Sequence, residues 1–241
     1  MTLALHTCFR IIAALWVPLL CGAAVEGHVN IRDSRDPAVR KRADYSGVVV
    51  WCRPVNGPTP AKASSGHARM IQKDKTFTPH VLPILVGTTV DFPNFDPIFH
   101  NAFSSYNGQI FDVGLYPPGT DRAVHFKRPG VVRVFCNIHS SMSAVIVVLD
   151  TQYFAVTNSK GNFRIEDLPP GDYDVRVFHE RAAPGTLRAL DRRISVSEGT
   201  LVVDPISISE SGYLPIPHKN KYGRDYGAEP DEHSIYPAVK K

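Results

Sequence analysis

Between residues 69 and 208 apolar and polar positions alternate in short runs, each broken by Gly or Pro. The runs "RMIQ", "HVLPILV", "TTVDF", "RAVHFK", "VVRVFC" and "SAVIVVL" follow one another up to residue 150. A second series, "YFAVT", "NFRIE", "YDVRVFHE", "RALDRRISVS" and "LVVDPISI", covers 152–208. Alternation with period two over a few residues is the mark of a strand with one buried face. No run sustains the period of an amphipathic helix, so the pattern predicts an all-β protein built as sandwiches or barrels. Two series of strands predict two units, 69–150 and 152–208.

The flanks read differently. The run "YSGVVVWCR" predicts a further strand within 44–55, and a loop rich in Pro, Gly, Ser and Ala follows it over 54–68. That strand fits the front of either unit. Residues 25–43 are polar and charged and read as a flexible lead-in. From 209 to 241 the chain is rich in Tyr, Pro, Lys, Asp and Glu without periodicity, which reads as an extended C-terminal tail.

The first residues change the picture of where the protein works. Arg10 precedes "IIAALWVPLLCGAAV", an apolar stretch that ends abruptly in small residues. This is the layout of a signal peptide over 1–24, with cleavage near Ala24, and it predicts a soluble, exported, periplasmic protein. The alternative is an uncleaved anchor. Cys21 follows two leucines, which does not fit the small residue that lipidation requires. No later segment is long and apolar enough to cross a membrane, so no span is expected in the mature chain. The formal net charge of +4 is too small and too evenly spread for a nucleic-acid binder.

Of the four cysteines, Cys8 and Cys21 lie in the leader, leaving Cys52 and Cys136. An exported protein with two cysteines suggests a disulfide. The neighbours of Cys136 argue otherwise. In "RVFCNIHSSMSAV" Cys136, His139 and Met142 stand three residues apart at the end of a strand, so one short loop offers a thiolate, an imidazole and a thioether. Thiolate, two imidazoles and a weak axial thioether are the ligands of electron-transfer copper, because soft sulfur favours Cu(I) and imidazole suits Cu(II). The second imidazole is best supplied by His100 in "FDPIFHNAFSSY", which follows the strand "TTVDF". Zinc on the Cys and two His is the competing occupant. Taken singly, a loop His, a buried Cys and a strand-end Met are ordinary structural residues; four in ligand order and spacing are not. Cys52, in "VVVWCRP", has no ligand type beside it and reads as a small buried hydrophobe. His67, His80, His125 and His179 read as surface or strand residues.

The stretch "DKTFTPHVLPILVGTTVDFPNFDPIFHN" resembles the first half of a cupredoxin, through Phe77, Pro79, Gly87, Thr89, Val90, Phe92, Asn94 and Asp96 before the His100–Asn101 pair. "FCNIHSSM" resembles the cupredoxin ligand loop, with the short spacing of amicyanin-like members. The resemblance covers residues 74–142. It implies a Greek-key β-sandwich holding one mononuclear copper, with His100, Cys136 and His139 equatorial and Met142 axial. It implies that Asn101 fixes the ligand loops and bonds near the thiolate.

In the second series, "TNSKGNFRIEDLPPGDYDVRVFH" resembles the carboxypeptidase regulatory-like, transthyretin-like β-sandwich. Thr157 and Gly161 make its first turn, Phe163 and Ile165 face inward, and "LPPG" leads into "YDVRV". Its usual first strand is missing after residue 150. The run at 45–53 resembles such a strand, in which case the copper unit is inserted into the small sandwich; equally, it fits the front of the copper unit. The pair of sandwiches resembles exported bacterial cupredoxins labelled methylamine utilisation proteins, a label that by itself implies no amine chemistry.

The function expected from the sequence is one-electron transfer with a redox partner protein. The alternatives are copper delivery, sensing or protection without electron transfer, and a structural module on a cupredoxin scaffold. No acid–base pair, nucleophile or second metal cluster is legible, so an enzyme is not expected.

Overall fold

The first strand among the described residues is one that Gly27 conceals. In the computed structural model, which describes residues 22–56, 64–105, 108–214 and 217–227, β1 runs from Ala23 to Arg32. Val25, Val29 and Ile31 are buried at every second position, and Gly27 occupies the fourth inward place. A Cβ on Gly27 would lie 2.5 Å from the Phe163 ring, so that ring fills the space a larger residue would take. The expected flexible lead-in over 25–43 is therefore corrected: it is a central strand followed by the helix α1 (Pro37–Arg42). Asp36 caps α1, accepting from the Ala38 N–H at 2.7 Å, and Pro37 stands at its first turn. Ala23 and Ala24 already belong to β1; the remainder of the expected leader, 1–21, lies outside the described residues.

After β2 (Val49–Pro54) the chain makes ten strands: β3 (His67–Arg69), β4 (Ile71–Lys73), β5 (Thr76–Thr78), β6 (Val81–Leu85), β7 (Thr89–Asp91), β8 (Phe103–Ser104), β9 (Phe111–Asp112), β10 (Ala123–His125), β11 (Gly130–Phe135) and β12 (Ser143–Leu149). The order β6-β12-β11-β8-β9 forms one sheet and β10-β7-β3 another, with the hairpin β4–β5 beside them. Between them lies an apolar core that includes Phe77, Phe92, Val132, Val134, Ile146 and Val148. The chain then continues through β13 (Phe154–Val156), β14 (Asn162–Leu168), β15 (Gly171–Phe178), α2 (Pro184–Arg188), β16 (Arg192–Val196), β17 (Thr200–Val202) and β18 (Ile206–Ser209). β1 pairs with β14 on one side and with β17 and β18 on the other, while β13-β2-β15-β16 makes the facing sheet. Phe163 and Ile165 point into the core between these two sheets. Among the described residues the architecture is all-β, two sandwiches with two short helices.

β2 settles which unit owns 44–55. It pairs with β13 through Phe154↔Trp51 and with β15 through Val175↔Cys52. β13 and β2 are neighbours in one sheet, so everything from β3 to β12 is inserted between them. The chain leaves and returns at one point: the Cys52 N–H bonds to the Tyr153 carbonyl at 2.8 Å, and the Thr151 hydroxyl to the Cys52 carbonyl at 2.9 Å. In the turn before β14, Gly161 has φ +80°, and a Cβ there would lie 2.0 Å from the Val29 carbonyl, so this turn requires glycine.

β12 is apolar at nearly every position because both of its faces are covered. Ala144, Ile146 and Val148 enter the core of the inserted sandwich, while Val145, Val147 and Leu149 pack against Val49 and Phe178 of the small sandwich. The same joint carries an ion pair. His80 Nε2 lies 2.9 Å from both carboxylate oxygens of Glu180. His179 is not a surface residue: it is buried with its Nε2 2.7 Å from Glu210, which also accepts from Arg181 and Ser34.

The His80–Glu180 pair makes the joint pH-dependent. The bond to Glu180 raises the His80 pKa against the opposing effect of burial. Burial would raise Glu180, but His80 and Arg181 hold it below the usual carboxylate range. A raised histidine stabilises the folded state below its unfolded pKa and loses this as pH rises through the folded value; a depressed glutamate does so above its unfolded pKa and loses it as pH falls through the folded value. Both contributions are complete between about pH 4.5 and 6.5. Glu180→Gln should lower the melting temperature by a few degrees at about pH 5.5, for a pair worth about 1 kcal/mol or less, and by clearly less at about pH 9. Thermal scans of both proteins at the two pH values check this; an equal difference at both would remove the ionic contribution.

Candidate metal centre

The four predicted ligands lie at one end of the inserted sandwich. Cys136 follows β11, His139 and Met142 lie on the loop between β11 and β12, and His100 stands before β8. The ligand atoms of His100, Cys136 and His139 all lie within 4.8 Å of one another. Cys136 Sγ is 3.9 Å from His100 Nδ1 and 3.6 Å from His139 Nδ1, and the two imidazole rings are 4.8 Å apart. Metal–sulfur and metal–nitrogen bonds of roughly 2.3 and 2.0 Å, opened to a trigonal or tetrahedral angle, put sulfur and nitrogen about 3.5–3.7 Å apart. The donor set and its spacing therefore suit one ion of the kind that accepts a thiolate and two imidazoles.

The loop holds this arrangement by closing on itself. The Cys136 N–H bonds to the Met142 carbonyl at 3.1 Å, and the Met142 N–H to the His139 carbonyl at 3.2 Å. Met142 is buried in the same apolar cluster as Cys136, at the other end of the loop. Exposure is 0% for His100 and Cys136, 1% for Met142 and 7% for His139. Burial pushes the Cys136 thiol up, and backbone N–H groups of Ile138, Asn101 and His139 work against that by pointing at the sulfur.

His100 is placed from both sides. Its backbone exchanges hydrogen bonds with Tyr116, at 3.1 and 2.9 Å, and its Nε2 lies 2.7 Å from Asp96. Asp96 in turn accepts from the N–H groups of Asp74 and Lys75, at 2.6 and 2.9 Å. Burial opposes ionisation of Asp96, but these bonds and His100 keep its carboxyl below the usual range. Burial lowers the His100 pKa despite Asp96. With Nε2 engaged, Nδ1 is the nitrogen left to face the sulfur. Asp96 thus orients a predicted ligand, a contact the strand pattern does not announce; the signal available was a carboxylate four residues before the histidine on one loop.

Asn101 bridges. Its amide donates to Asp112 Oδ1 at 2.8 Å and to the Gly114 carbonyl at 2.9 Å, while its own N–H faces Cys136. The disulfide alternative does not occur: Cys52 and Cys136 are free and sit in the cores of different sandwiches. His67 and His125 lie on exposed strands, and His67 pairs with Asp91 at 2.9 Å.

The tail is corrected as well. Residues 217–227 are not an extended arm but turn and pack on the ligand loop. Tyr226 donates to the Cys136 carbonyl at 2.6 Å, and His218 stacks on Phe135 at 4.1 Å. Residues 228–241 lie outside the described residues.

No protein-family model matches this sequence, and no curated protein matches it significantly. Solved structures similar to parts of it include a purple cupredoxin from Nitrosopumilus maritimus, 26% identical over 34% of this chain and 99% of that one, with a TM-score of 0.31. A reduced amicyanin variant is 16% identical over 42% of this chain and 98% of that one, with a TM-score of 0.33. The Cu-containing nitrite reductase NirK from Thermus scotoductus SA-01 is 25% identical over 51% of this chain and 28% of that one, with a TM-score of 0.33. No helix among the described residues is long and apolar enough to cross a membrane.

Proposed function

We propose that this chain is an exported, periplasmic copper protein of the cupredoxin kind that carries one electron between redox partner proteins. The observation that carries the reading is the convergence of His100, Cys136 and His139 within 4.8 Å at a buried point. A single copper there, with Met142 as the weak axial ligand, would supply the one-electron couple. The chain's contribution is rigidity. Asp96 and Tyr116 fix His100, the loop bonds fix Cys136 against Met142, and the small exposures exclude bulk water. A site that neither rearranges nor resolvates loses little energy on gaining or losing an electron. The same enclosure supports a carrier over an enzyme, since His139, the most exposed of the four residues, is only 7% exposed, and little of the site meets solvent among the described residues. Thiolate and thioether together favour copper over zinc.

Titration of the purified protein with Cu(II) should give an intense visible thiolate-to-copper band. Met142→Gln should keep the colour and lower the reduction potential, because a hard oxygen favours Cu(II). Copper bound without colour, or a potential indifferent to Met142, would overturn the site. Colour with sluggish reduction and reoxidation would replace electron transfer by delivery or sensing.

A further inference from the structure

The outer face of β11 carries a second layer over the ligand loop. Phe135 alternates with Val134 and Cys136, so its ring leaves the core and meets Phe103 at 5.9 Å. The described tail covers this face. His218 stacks on Phe135 with ring centroids 4.1 Å apart and planes at 25°. The Tyr226 hydroxyl donates to the Cys136 carbonyl at 2.6 Å and lies 3.1 Å from His218 Nδ1. Because that hydroxyl proton is given to the carbonyl, the bond to His218 runs from Nδ1–H to the tyrosine oxygen, and the two bonds polarise each other. Lys221 closes the other side: its N–H bonds to Asn137 Oδ1 at 2.9 Å and its ammonium to Asp112 at 2.8 Å. Asp112 is the residue that accepts from Asn101, next to His100. One short segment is therefore tied to the Cys136 carbonyl and, through the Asp112 carboxylate, to the Asn101 side chain beside His100. Its own turn is held by the Asn220 N–H to the Arg224 carbonyl at 2.8 Å.

We propose that residues 218–226 are an intramolecular strap and that Tyr226 is a positioning residue for the Cys136 ligand. The proposal rests on the copper reading for its electronic half, but its mechanical half stands on the apoprotein alone. Tyr226 fixes the peptide between Cys136 and Asn137, and with it the Ile138 and His139 N–H groups that point at the sulfur. The hydroxyl also directs the positive end of its dipole at the ligand backbone. A site that has gained an electron is stabilised by that end, so the strap raises the reduction potential.

The test uses the full chain as wild type, Tyr226→Phe, His218→Ala, and Arg224→Gln as a control on an exposed side chain of the same strap. In the copper-free proteins, the rate of Cys136 alkylation is read peptide by peptide by mass spectrometry, which separates it from the other cysteines. Tyr226→Phe and His218→Ala should speed labelling roughly five- to ten-fold, the equilibrium equivalent of one lost hydrogen bond, while Arg224→Gln leaves it unchanged. In the copper-loaded proteins, Tyr226→Phe should lower the potential with the visible band retained. Labelling and potential both equal to wild type in Tyr226→Phe would overturn the strap. If wild type itself forms no coloured site, the electron-carrier reading fails and the labelling rates alone decide the strap.

Discussion

Cys136→Ser should abolish the visible band of the copper-loaded protein and lower copper affinity by more than the roughly 10–100-fold that loss of an outer partner costs. The reason is that nothing else in the loop can take the place of the thiolate. A serine hydroxyl is hard, and at this fully buried position it stays protonated, so His100 and His139 would be left as an incomplete pair. Ser is close to Cys in size, and the loop bonds run through the Cys136 N–H and the Met142 carbonyl, which the substitution keeps. The melting temperature of the copper-free protein should therefore move by only a few degrees. Asp96→Asn gives the scale from the outer side: it keeps all the ligands but loosens His100 Nε2, and should cost copper within that 10–100-fold range while the colour persists. Copper titrations followed by absorbance check both. A Cys136→Ser protein that still turns coloured would place the thiolate elsewhere.

The loop that gathers Cys136, His139 and Met142 was legible because it is local. Cys136, His139 and Met142 lie within one turn between two strands, so their spacing in sequence is their spacing in space. His100 followed from its place after a strand that ends at the same side. What the sequence concealed depends on distant partners. β1 looked polar because Gly27 stands where a large apolar residue would have revealed the alternation, and the ring that fills the space belongs to Phe163. β2 fitted two units because a strand's own pattern says that one face is buried, not which strand it pairs with. Tyr226 and His218 sit in an aperiodic segment whose contacts, Cys136 and Phe135, are far away along the chain. The Asp96–His100 bond depends on how a loop folds back, which strand periodicity does not encode.

Residues 152–208 expressed alone should not fold, although they carry most of the strands of the small sandwich. β14 would lose β1, its hydrogen-bonded neighbour across Ala23↔Leu168 to His28↔Asn162, and β15 would lose β2 across Tyr173↔Pro54 to Phe178↔Val49. Val25, Val29 and Ile31 of β1 are buried in the core, and at roughly 1.5–3 kcal/mol each their loss removes about 5–9 kcal/mol, comparable to the whole stability of a small domain. Restoring the two strands should restore the fold. The chain leaves and re-enters the sandwich where Cys52 bonds to Tyr153, so residues 22–56 joined to 150–214 by a short Gly-Ser linker have no gap to span. That protein should melt cooperatively without copper. It should also self-associate, because Val49 and Phe178 lose the cover of β12. Circular dichroism with thermal melts on both proteins checks the pair of outcomes. A cooperative transition in 152–208 alone would mean that β1 and β2 are dispensable and that the inserted order of the chain is not what holds the small sandwich together.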